Sequence, residues 1–168
     1  MAILTSYEGS NDDYENGGTL GYRAQGFKVP SNSVITSVSI FGSKGISFSG
    51  TTFFEIRQGT VTGTSLGSIS ISTSTLSAYG TPIWNEITGL NINVVAGTQY
   101  YLVIGNLTGN SNDEIRWSTD TTSPSYPNGN GWYATSVNTG WVEYPSRHKN
   151  FRINGNIAKK FIPKILSN

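Results

Sequence analysis

The chain has no cysteine, a single histidine and a single methionine, and only 21 of its 168 residues are charged. Without cysteine there is no disulfide framework, no thiolate nucleophile and no Cys-based zinc site. One histidine, His148, rules out a multi-histidine metal centre. It sits in Ser146-Arg147-His148-Lys149, where two flanking cations disfavour its charged form, and it reads as a plain surface histidine. A Ser–His–Asp hydrolase also wants its serine on a constrained Gly-x-Ser-x-Gly turn. The nearest match, Gly45-Ile46-Ser47-Phe48-Ser49-Gly50, is one residue too long. No stretch approaches the roughly 18–20 apolar residues of a membrane span, so no membrane insertion is expected. The first residues lack the basic opening and apolar run of a secretory signal. A mature fragment, or a protein that reaches the outside within an assembled particle, is therefore expected. Residues 1–156 carry 8 basic and 10 acidic side chains, with no basic cluster of the kind a nucleic-acid backbone requires.

Ser, Thr, Asn and Gly fill 77 positions, a bias away from the Ala, Leu, Glu, Lys and Arg that helices favour. Twenty aromatic residues supply too much apolar material for a disordered polar chain. Apolar residues recur at period two in short runs bounded by Gly, Asn, Pro and Ser. In 34–40, Val34, Val38 and Ile40 are expected on one face; 68–72 and 90–94 alternate cleanly. Further strands are expected at 3–7, 22–29, 53–58, 84–88, 99–105, 114–118, 131–135, 140–144 and 150–154. About a dozen strands at this spacing predict an all-β chain, and an antiparallel two-sheet sandwich buries one face of each most simply. Val38, Ile40, Phe54, Ile56, Ile92, Val94, Leu102, Ile104, Ile115 and Trp117 form the expected core. One domain over 1–156 and a tail over 157–168 follow.

Arg23-Ala24-Gln25-Gly26-Phe27-Lys28-Val29-Pro30, the run Ile35–Ile40, Phe54-Glu55-Ile56-Arg57, Gly97-Thr98-Gln99-Tyr100-Tyr101-Leu102 and a closing Phe151-Arg152-Ile153-Asn154-Gly155 appear in that order. This order resembles the jelly-roll β-sandwich modules of phage virion proteins and bacterial surface proteins, which are similar in architecture to carbohydrate-binding modules. The resemblance covers roughly residues 20–155. It implies a jelly-roll sandwich with a non-catalytic adhesive or structural role, and it carries over no site residues.

Three features could carry chemistry or contacts. Asn11-Asp12-Asp13-Tyr14-Glu15-Asn16 gathers carboxylates and amides in a predicted loop, so Asp12, Asp13 and Glu15 are candidates for a structural Ca2+; a solvated, turn-capping loop is the alternative. No other cofactor is expected. Residues 117–144 interleave aromatics with Asn, Gly, Ser and Thr. Tyr126, Trp132, Tyr133, Trp141 and Tyr144 are candidate glycan contacts, because ring faces stack on sugars while neighbouring amides bond their hydroxyls. Trp132 and Trp141, each after a glycine, could instead plug the ends of the sandwich. The tail is apolar and basic, and Pro163 forbids a regular helix through it. Phe161, Ile162, Ile165 and Leu166 are candidate assembly contacts; packing back on the chain's own sandwich, or disorder, are the alternatives. These observations predict a non-catalytic virion surface protein, either capsid decoration or a tail-fibre or spike component. Its expected partners are other virion proteins or copies of itself, and a cell-surface glycan. A carbohydrate-binding module of a secreted enzyme or bacterial surface adhesin is the alternative, at the cell surface or outside it.

Overall fold

The computed structural model describes residues 1–11, 13–15, 21–46, 49–108, 115–136 and 138–158. About 60% of these lie in strands, and no α-helix occurs among them. No helix is therefore long and apolar enough to cross a membrane. Thirteen strands follow in order: β1 (Ala2–Tyr7), β2 (Asp13–Glu15), β3 (Tyr22–Phe27), β4 (Ser33–Ser43), β5 (Thr51–Gln58), β6 (Thr64–Ser72), β7 (Ile83–Val94), β8 (Tyr100–Thr108), β9 (Arg116–Asp120), β10 (Gly131–Ala134), β11 (Val142–Tyr144), β12 (His148–Lys149) and β13 (Phe151–Ile157). A 3-10 turn covers Thr73–Thr75.

The strands form two antiparallel sheets packed as a sandwich. One has the order β1-β13-β4-β9-β12, with β2 on β9 and β7 on β4; the other has the order β11-β10-β3-β8-β5-β6. The chain passes repeatedly between the two. All ten residues expected in the core are buried, and they join Phe27, Ile35, Leu90, Tyr100, Phe151 and Ile153 in one cluster between the sheets. Alternation explains this: on each strand every second side chain leaves water.

Two expectations shift. Val34 does not share the inner face of Val38 and Ile40; Ile35 does. The pairing of β4 with β7 slips between Ile35 and Ser37, and the period-two count restarts there. The runs expected at 84–88 and 90–94 are one strand, β7, interrupted at Gly89, whose φ of +102° suits glycine. Buried residues on β7 therefore step from Ile87 to Leu90, matching the step from Ile35 to Val38 across the sheet. Both bulges fall side by side, so the two inner faces stay in phase.

The expected acidic loop is in part a strand: β2 pairs Asp13 with Thr119 and Glu15 with Trp117. Asp12 lies outside the described residues. His148 is also corrected, because it is 4% exposed and lies in β12 beside Asp120. Flanking charge informed its protonation state, but burial is set by the sheet register. At the other end, β13 runs to Ile157, and the Ala158 N–H donates to the Asn32 carbonyl at 2.8 Å. Phe161, Ile162, Ile165 and Leu166 lie outside the described residues.

Candidate binding face

The outer face of the six-stranded sheet carries a second apolar cluster. Directly paired residues of an antiparallel ladder point the same way. Trp132 pairs with Ala24, Ala24 with Val103, and Val103 with Glu55, so one row crosses β10, β3, β8 and β5. At roughly 4.8 Å per strand this row is about 14 Å wide. Ala24, Phe53, Val61 and Val103 are buried in the cluster, and Tyr22, Tyr101, Trp132 and Trp141 pack half-buried around them. The Tyr101 and Trp132 rings meet edge-on with centroids 6.2 Å apart, and Tyr22 and Phe53 lie 6.0 Å apart.

Local sequence explains the construction. Phe53-Phe54 and Tyr100-Tyr101 place one ring on each face of their strands, so each strand serves the core and the outer cluster at once. Gly105 leaves room for the rings: a Cβ there would land on Tyr22 and Phe53. The turn after β5 folds Val61 over the face, held by a 3.0 Å hydrogen bond from Arg57 Nη1 to the Val61 carbonyl. Polar groups interrupt the surface. Arg57 meets Glu55 at 2.8 Å, and Asn130 Nδ2 donates to Glu143 Oε1 at 2.8 Å. Burial, helped by the Glu143 charge, raises the Tyr101 phenol above its ordinary value and keeps it a donor.

The five aromatic residues expected to share a surface are divided by the fold. Trp132 and Trp141 reach the outer cluster. Tyr133 follows Trp132 in β10 and so takes the opposite face, where the Arg23 guanidinium lies 4.2 Å from its ring centre. Tyr144 stacks with Arg147 at 5.3 Å. Tyr126 is a correction: its ring is 7% exposed and packs edge-on against Phe151, so no ring face is open to a sugar. Tyr22, Phe53 and Tyr101 were not expected at a site. Their signal was the doubled aromatics and the Tyr22–Ala24 alternation, which put apolar residues on both faces of buried strands.

A polar cluster surrounds Asp120 and His148. Asp120, 2% exposed, accepts from Tyr7 Oη at 2.5 Å, Ser10 Oγ at 2.9 Å, and the Thr122 and Ser123 N–H groups at 3.1 Å each. Burial alone would raise its pKa; the hydrogen bonds more than offset that and hold it at about 2. Beside it, His148 Nδ1 accepts from the Tyr126 N–H at 2.9 Å. Burial lowers the imidazole pKa, against the opposing pull of Asp120. Its base nitrogen is thus engaged by backbone, and the oxygens of Asp120 bond to other groups. Asn150 ties the segment before β2 to this cluster, accepting from the Gly9 N–H at 2.7 Å and donating to Asn11 Oδ1 at 2.8 Å.

Among the described residues no group of three His, Asp or Glu side chains is arranged to hold a metal ion. No protein-family model matches the chain, and no curated protein matches it.

Proposed function

We propose that this protein is a non-catalytic adhesive module of jelly-roll type that binds glycans through the outer aromatic face of its six-stranded sheet. The observation that carries this reading is an apolar, ring-rich patch outside the sandwich core, where Tyr22, Tyr101, Trp132 and Trp141 stand half-buried around the buried Phe53, interrupted by Glu55, Arg57 and Glu143. A stable sandwich does not need a second aromatic cluster on its solvent side, and such rings suit the apolar faces of pyranoses. The engaged state of Asp120 and His148 supports a role without catalysis. On this reading the proposed site of action is a virion surface, as capsid decoration or as a tail-fibre or spike component. There it would contact other virion proteins or copies of itself through the 157–168 tail. The same face also suits a carbohydrate-binding module of a secreted enzyme or bacterial surface adhesin, which is the second reading.

A broad glycan array probed with the wild type and with Trp132→Ala tests the binding. Selective signal is expected for the wild type, with a loss of about tenfold or more in the variant at unchanged circular dichroism, the scale of one stacked aromatic contact. A wild type that binds nothing across the array overturns the glycan reading and leaves a purely structural one.

A further inference from the structure

A groove of about 430 Å³ opens at the end of the sandwich, between the start of β1, the turn joining β3 to β4, and the loop before β10. Leu4 and Val29, both buried, give it an apolar base. Thr5, Lys28 and Asn128 add polar groups, and Pro30 and Gly97 complete the lining. The Tyr126 hydroxyl joins the polar residues: it bonds Thr5 Oγ1 at 3.0 Å and is met by the Lys28 backbone and the Asn128 side chain. The tyrosine whose ring is lost to the core thus brings its polar end to this groove.

The loop carrying Asn128 is tied down along its length. The Tyr126 N–H is held by His148, Gln99 Nε2 donates to the Asn128 carbonyl at 3.3 Å, Gln25 Nε2 to the Gly129 carbonyl at 3.0 Å, and the Gly26 N–H to the Asn130 carbonyl at 3.0 Å. Gly129 lies at φ +150°, and a Cβ there would strike the Gly26 backbone. On the other rim the Gly97 N–H donates to the Val29 carbonyl at 3.0 Å. A groove framed this rigidly binds without an ordering cost. Its charge is one-sided. Among the described residues no acidic side chain lines it, and the Lys28 ammonium makes no hydrogen bond or ion pair. Arg57 and Arg152, by contrast, are each engaged by a carboxylate.

We propose that this groove binds a monosaccharide unit bearing a carboxylate, a uronic or sialic acid. The pyranose ring rests on Leu4 and Val29, its hydroxyls meet Thr5 and Asn128, and its carboxylate meets Lys28. A volume of this size falls within the ordinary range for small-ligand sites, about 300–1,000 Å³. The site is separate from the outer aromatic face.

The test is a titration of the 15N-labelled full chain with methyl glucuronide, the methyl glycoside of N-acetylneuraminic acid, methyl glucoside and acetate, followed by amide chemical shifts. Saturable shifts at Thr5, Lys28, Gly97 and Asn128 are expected with at least one carboxylated glycoside, and none with methyl glucoside or acetate. Lys28→Gln should weaken that binding by about tenfold or more, as loss of a charge-assisted hydrogen bond does. Trp132→Ala should leave it unchanged, which separates this site from the aromatic face. Equal binding of the neutral glycoside or of acetate, absence of shifts at these amides, or full affinity in Lys28→Gln overturns the proposal.

Discussion

Replacing Asp120 with Asn should loosen the seam where the first strand meets the β9–β12 pair, and the size of the effect follows from its four hydrogen bonds. An amide oxygen can keep Ser10, Thr122 and Ser123, but its NH2 then faces Tyr7 Oη. That hydroxyl donates to Asp120 Oδ2 in the wild type while accepting from the Ser125 N–H at 3.3 Å, so an NH2 in place of Oδ2 leaves its proton without an acceptor. Bonds to a charged acceptor contribute about 1.5–3 kcal/mol each, against about 0.5–1.5 for neutral ones. Losing the charge should therefore cost about 2–3 kcal/mol, or roughly 4–12 °C in Tm for a chain of this size. Proton linkage gives an independent bound. The carboxyl falls from its ordinary value of 3.8 to about 2 on folding. Each tenfold difference in proton affinity is worth about 1.4 kcal/mol, so the coupling is at most about 2.5 kcal/mol and less after solvent screening, which points to the lower end of that range. A carboxyl depressed by folding stabilises the protein above its unfolded value, and that stability is lost as pH falls from 3.8 towards 2. His148, whose pKa is also lowered by burial, acts in a separate window that begins as pH falls below 6.5, where the unfolded chain takes up a proton first. Urea unfolding followed by tryptophan fluorescence from pH 7 to pH 2 reads both. Asp120→Asn should be less stable at pH 7 and should lack the part of the acid limb between 3.8 and 2. A variant within about 0.5 kcal/mol of wild type at pH 7, or with an unaltered acid limb, would show that Asp120 does not hold the seam.

Two further outcomes follow from packing. Leu102→Ala, at a side chain with no exposure between the sheets, should cost about 2–5 kcal/mol in urea unfolding by lost transfer energy plus a cavity; under 1 kcal/mol would mean the site collapses freely. Gly105→Ala, although it only adds a methyl, should cost about 1–3 kcal/mol and abolish glycan signal, because the new Cβ displaces Tyr22 and Phe53. Unchanged stability together with unchanged binding would show that those rings do not form the face.

The fold class and the inner face were legible because both are local. Period-two patterning, dense turn residues and a shortage of helix formers act within a few residues, and each of the ten core residues they indicate is buried. Val34 was misplaced where locality fails: the bulge opposite Gly89 resets the count, and only the facing strand reveals it. The short strands β2 and β12 were also hidden, since three and two residues carry no period and their pairing partners lie far along the chain.

The candidate face was legible only by halves. Composition marked 117–144 as aromatic, yet sequence spacing could not tell that Trp132 and Tyr133 take opposite faces of a strand buried on one side, or that Tyr126 turns inward onto Phe151. Nor could it unite Trp132 with Tyr22, Phe53 and Tyr101, which come from three other strands and meet only because β10, β3, β8 and β5 lie side by side. Local chemistry alone determined that this chain is a β-sandwich and which residues leave water between its sheets. Which aromatics gather on the outside, and which cation stands unpaired beside a groove, depended on strand order, because residues far apart in the chain become neighbours only through the sheet.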